Sequence, residues 1–77
     1  MTIHVHLLGY LCRYSPTGEE KFSREIAPAA TVADLLAQIR FPAEVEKIIL
    51  VNGQNVLPST GLAAGDDVFI FAPATGG

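Results

Sequence analysis

The residue types best placed to do chemistry stand at the end of the chain, Ala72-Pro73-Ala74-Thr75-Gly76-Gly77. Gly76 and Gly77 carry no side chains, so they can thread a narrow channel and bring the Gly77 α-carboxylate to a reactive centre. A bare carboxylate on a mobile arm is a handle for another enzyme's chemistry. A chain that ends this way reads as a protein substrate and not as a catalyst. At about 3.3–3.6 Å per residue the arm from Ala72 to Gly77 reaches roughly 20 Å, enough to enter a partner's active site while the body docks outside. Gly77 is the expected reacting residue, with Gly76 and Thr75 threading behind it. The alternative is a frayed end with no role.

The other reactive side chains form no convincing catalytic set. His4 and His6 lie two apart, a spacing that can serve a metal. With no cysteine and no carboxylate pair near them in sequence, they read as surface histidines, and no metal site is expected. Cys12 is the single cysteine; it allows no internal disulfide, suits a reducing compartment and reads as a passive thiol. Asp66 and Asp67 read as a turn and a strand entry, and Glu19, Glu20, Glu44 and Glu46 as solvated charges. There is no phosphate-binding loop, no GxGxxG, no zinc-ligand spacing and no nucleophile elbow. The net charge is −3, and Lys21, Arg24, Arg40 and Lys47 are scattered, so no nucleic-acid partner is expected. No apolar run spans a bilayer and no signal peptide is visible, which makes a soluble cytoplasmic protein without a membrane partner the expectation.

The elements that must carry the arm follow from periodicity. Thr2 to Leu8 alternates, with Ile3, Val5 and Leu7 on one face of a strand. Ser15-Pro16-Thr17-Gly18 marks a turn cluster within a longish loop from Tyr10 to Glu20. Lys21 to Ile26 then returns as a second strand with Phe22 and Ile26 inward. Thr31 is a good N-cap, with Asp34 in the first turn, and Val32, Leu35, Leu36 and Ile39 make one apolar stripe of a helix that Phe41-Pro42 should end. Ile48 to Val51 reads as a strand with little solvent on either face. Asn52-Gly53 is a tight turn, Val56-Leu57 a possible short strand, Leu62 a buried anchor, Gly65-Asp66 a turn, and Val68 to Ala72 the last strand.

This order, β-β-α-β-(β)-β, predicts an α+β β-grasp fold. Its mixed four- to five-stranded sheet is covered on one face by one main helix, with the last strand central and parallel to the first. Residues 1–71 form that domain and residues 72–77 a flexible tail. Val68 and Ile70 should face the core in register with Ile3 and Val5. Phe69 and Phe71 should then lie on the open face near His4, His6 and Leu50. Two exposed phenylalanines there predict a docking patch made of Phe69, Phe71, Leu50 and His6.

Val51-Asn52-Gly53, Leu62, Gly65-Asp66, Val68, Ile70-Phe71, Pro73 and Gly76-Gly77 together resemble the ubiquitin-like sulfur carriers of the MoaD/ThiS family. These include the small subunit of molybdopterin synthase and the sulfur carrier of the thiamine pathway. The ending is closer to the molybdopterin-synthase type, which tends to carry Phe-Pro-Pro before the tail; Ala72 stands where the first proline is common. The resemblance implies that a ubiquitin-activating-type adenylyltransferase uses ATP and magnesium to adenylate Gly77. Sulfur then replaces AMP, and the thiocarboxylate donates sulfur to an acceptor, the large subunit of molybdopterin synthase or an analogue. It implies a chain that is not itself an enzyme and binds no cofactor. The same body and tail would serve thiamine or tRNA-thiolation pathways, a ubiquitin-like modifier joined to proteins through Gly77, or a pure interaction module.

Overall fold

The computed structural model describes residues 1–73. Alternation in the first strand is realised in β1 (Thr2–Leu7), where Ile3, Val5 and Leu7 are fully buried. It pairs antiparallel with β2 (Lys21–Glu25), Val5 opposite Phe22 and Ile3 opposite Arg24. The connection is more ordered than the turn cluster predicted. It holds a 3-10 helix, Gly9–Tyr14, entered through Gly9 at φ 60. Leu11 in that helix is fully buried, and the Tyr14 ring packs 5.2 Å from that of Phe41. A turn this short has no periodicity to betray it.

The helix α1 (Val32–Gln38) starts where its cap requires. The Asp34 N–H donates to Thr31 Oγ1 at 3.2 Å and the Thr31 N–H to Asp34 Oδ2 at 2.9 Å, a reciprocal capping box. Val32 and Leu35 are buried on its inner stripe, with Ile39 buried just beyond its end. It stops before Phe41-Pro42. Arg40 takes a left-handed φ of 57, its N–H donates to the Ala37 carbonyl, and the Phe41 N–H donates to the Leu36 carbonyl. These two bonds close the helix as a Schellman motif and turn Phe41 into the core. The stop is therefore a reversal that buries an aromatic, reached before the proline acts.

Three further strands complete the sheet: β3 (Ile48–Val51), β4 (Gln54–Asn55) and β5 (Asp67–Phe71), in the order β2-β1-β5-β3-β4. β5 runs parallel to β1 and antiparallel to β3. Asn52 and Gly53, at φ 53 and 85, form the two-residue turn that puts Gln54 opposite Val51. The last short strand is therefore Gln54–Asn55 and not Val56-Leu57, and Leu57 is 70% exposed. β3 is not dry on both faces. Ile49 and Val51 are buried while Ile48 and Leu50 are half-buried, because the helix covers one face only.

The pairing of β1 with β5 differs from expectation by two residues. Val5 faces Val68 and Leu7 faces Ile70. The turn before β5 sets this register: the Gly65 N–H donates to the Thr2 carbonyl and the His4 N–H to the Asp66 carbonyl. A slip of two preserves side-chain parity, so the faces stay as predicted. Leu62 is 6% exposed, and its N–H donates to the Ala30 carbonyl, tying the loop under the helix. Among the described residues no helix is long and apolar enough to cross a membrane.

Candidate functional site

The C-terminal residues follow β5, the middle strand of the sheet. That strand is fixed at its start by side chains. Asn52 Nδ2 donates to Asp66 Oδ1 at 2.9 Å, the Asp67 N–H donates to Asn52 Oδ1 at 3.0 Å, and the Ala63 N–H donates to Asp66 Oδ2 at 2.8 Å. Asp66 is thus a turn-locking residue, as its sequence context predicts. At the other end the Leu8 N–H donates to the Ile70 carbonyl at 2.9 Å, and the 3-10 helix packs against β5. Pro73, the last described residue, shares a groove with Val45, Lys47, Ile49 and Pro58. Thr75, Gly76 and Gly77, the predicted reacting and threading residues, lie outside the described residues.

Parity divides β5 as predicted. Val68 and Ile70 are fully buried beneath the helix; Phe69 and Phe71 are half-buried on the open face. The parallel register brings His6 beside Phe69, and the rings stack with centroids 4.1 Å apart and planes 8° from parallel. His6 Nε2 also lies 3.4 Å from Asp67 Oδ1. From the other side β3 sets Leu50 opposite Phe69 and Ile48 opposite Phe71. The four residues predicted as a docking patch are therefore contiguous across three strands. Ile48 belongs with them: residues 48–51 are all apolar, so residue type hides the alternation that the strand's burial shows.

His4 shares this face but turns toward β2, with Nδ1 3.2 Å from Ser23 Oγ. Among the described residues no group of three or more His, Cys, Asp or Glu side chains is placed to hold a metal ion. Cys12 is a free, half-buried thiol in the 3-10 helix. The chemistry this arrangement can perform is presentation. A central strand leads to the C-terminal residues, and a half-buried aromatic patch lies on that strand's open face.

A mixed five-stranded sheet with a parallel central pair and one helix across a single face is the β-grasp fold of ubiquitin-like proteins. The chain belongs to the ThiS family, whose model matches residues 9–77. Among solved structures, a putative molybdopterin converting factor subunit 1 from Pyrococcus furiosus is 25% identical. That match covers 96% of this chain and 99% of the other, with a TM-score of 0.83. Small archaeal modifier protein 1 from Haloferax volcanii is 22% identical over 100% of both chains, with a TM-score of 0.79. A structure of subunits 1 and 2 of the molybdopterin-converting factor from Helicobacter pylori in complex gives 23% identity over 100% of both chains and a TM-score of 0.65. A sequence comparison with curated proteins returns no match.

Proposed function

We propose that this chain is a sulfur carrier whose Gly77 carboxylate is activated by adenylation and converted to a thiocarboxylate. The observation that carries the reading is membership of the ThiS family across residues 9–77, a span that includes the Gly76-Gly77 pair. A carboxylate is a poor electrophile. Its oxygen attacks the α-phosphorus of ATP, pyrophosphate leaves, and the acyl-adenylate gains AMP as a good leaving group. Hydrosulfide from the sulfur donor then adds at the Gly77 carbonyl carbon, expels AMP and loses its proton, leaving the anionic sulfur of a thiocarboxylate that the acceptor reaction consumes. ATP and magnesium belong to the activating enzyme. This chain supplies position and recognition, through which binding energy holds the reacting group in place.

The docking surface for both partners is the open face carrying His6, Leu50, Phe69 and Phe71. Phe69 is held by its stack on His6, and both Phe69 and Phe71 lie on the strand that leads to the C-terminal residues. The acceptor is the large subunit of a molybdopterin synthase or an analogue, by likeness to the Helicobacter pylori pair. A second reading, a protein modifier joined to lysines through Gly77, draws on the equally complete match to the archaeal modifier.

Intact mass separates the two. With the cognate adenylating enzyme, ATP, magnesium and a sulfur donor, a carrier exchanges one oxygen for sulfur. A modifier instead gives ladders on target proteins in a lysate. Wild-type protein that never forms an acyl-adenylate would sink both readings together.

A further inference from the structure

The sheet has one long edge, the outer side of β2; the opposite edge, β4, is only Gln54–Asn55. Which backbone groups β2 turns outward is fixed by its flanking bonds to β1. The Ile26 N–H donates to the Met1 carbonyl at 2.8 Å and the Met1 amine to the Ile26 carbonyl at 2.7 Å. At the other end the Leu7 N–H donates to the Glu20 carbonyl at 2.8 Å. Hydrogen-bonded pairs alternate along an antiparallel ladder. Phe22 and Arg24 therefore turn their N–H and C=O groups toward β1, while Lys21, Ser23 and Glu25 turn theirs outward. These three residues are exposed. The Glu25 carbonyl also accepts from Gln38 Nε2 at 3.0 Å, and as a carbonyl it has a second lone pair to share.

The side chains along this edge read Lys21-Phe22-Ser23-Arg24-Glu25. Set antiparallel to itself about Ser23, the segment is self-complementary. Lys21 meets Glu25 of the second copy, Ser23 meets Ser23, and Glu25 meets Lys21, each at a position where the outward backbone groups exchange hydrogen bonds. On the helix side Phe22 meets Arg24 of the second copy, an arginine whose guanidinium already lies 5.8 Å from the Phe22 ring of its own chain. Centring on Lys21 or on Glu25 sets like charges opposite each other, centring on Arg24 opposes two guanidinium groups, and centring on Phe22 leaves Lys21 opposite Ser23 and no longer opposite Glu25. The register about Ser23 is thus the one that sets Lys21 against Glu25 twice, in addition to the contacts Glu25 makes with the Met1 amine and the Thr2 hydroxyl of its own chain.

We propose that the outer edge of β2 is an interface for a second copy of this chain, which joins the two sheets edge to edge through Lys21, Ser23 and Glu25. β2 is separated from β5 by β1, so the pairing leaves Phe69 and Phe71 free. It does not depend on the sulfur-carrier reading.

The test is sedimentation equilibrium of the full chain up to about 1 mM, the range in which a weak dimer registers. Wild-type protein should show a reversible monomer–dimer equilibrium. Lys21→Glu and Glu25→Lys should each weaken it at least about tenfold, because two attractive pairs become two repulsive ones. An equimolar mixture of the two variants should associate again, since each opposed pair is then one acid and one base. The Lys21→Glu/Glu25→Lys double variant should do the same. Amide exchange on wild-type protein provides a readout independent of any variant. The Lys21, Ser23 and Glu25 amides should slow as concentration rises, while those of Phe22 and Arg24 should not. A chain that stays monomeric throughout, single reversals that dimerise as wild type does, or a mixture that fails to reassociate would overturn the proposal.

Discussion

At the scale of single residues, the proposed function rests on Gly77 and on the parity of β5. Deleting Gly77, or adding one residue after it, displaces the carboxylate by about 3.5 Å. A misplacement of about 1 Å can already cost roughly a hundredfold in rate. Either variant should lose acyl-adenylate formation, followed by mass, with its thermal midpoint nearly unchanged. The two faces of β5 make a paired prediction. Phe71 is half-buried on the open face and Val68 is fully buried. Phe71→Asp should leave the domain folded, by circular dichroism, but weaken association with the activating enzyme or acceptor. Val68→Asp places a charge among apolar side chains with no partner and should unfold it. The reverse pattern would mean that docking uses the other surface.

At the scale of elements, α1 shows how a short helix is made to begin and end. Seven residues are too few to be stable by propensity alone, so the termini matter. Thr31→Ala removes one half of the capping box and should cost about 0.5–2 kcal/mol in chemical denaturation. The other end depends on Arg40 in a left-handed conformation, where glycine is the usual occupant, and on Phe41 folding back into the core. β1 and β2 have the same logic at their ends: the Met1 amine reaches the Ile26 carbonyl at 2.7 Å and so extends the ladder to the first residue.

At the scale of the molecule, the core is one layer of side chains between a sheet and a helix. A domain of this size buries only about 60% of its unfolded surface, so each core residue carries a large share of a small stability. Leu35→Ala should cost about 2–5 kcal/mol. Leu11→Ala should cost a similar amount although it stands in the connection between two strands, because it is as fully buried as Leu35. Urea unfolding of the two variants checks this. A Leu11→Ala midpoint equal to wild type would mean that the 3-10 helix does not contribute to the core.

What the amino-acid sequence determined by itself is what depends on neighbours along the chain. The parity of β1 and β5, the capping box at Thr31 and Asp34, the Asn52-Gly53 turn, the anchor at Leu62 and the Gly65-Asp66 turn are local patterns. Side-chain spacing and backbone preference are enough to read them. The placing of Phe69 and Phe71 on the open face was legible for the same reason, since alternation puts them opposite Val68 and Ile70. Tertiary structure decided the rest. The register of β1 on β5 joins residues more than sixty positions apart and is set by where the Gly65 turn meets Thr2, which no local pattern encodes. The half-exposure of Ile48 and Leu50, the burial of Leu11 and the stack of His6 on Phe69 likewise depend on which surface lies opposite. Hydrophobic burial is non-directional. It tells a residue that it must be covered, while the element that covers it is chosen only when the whole sheet closes against its helix.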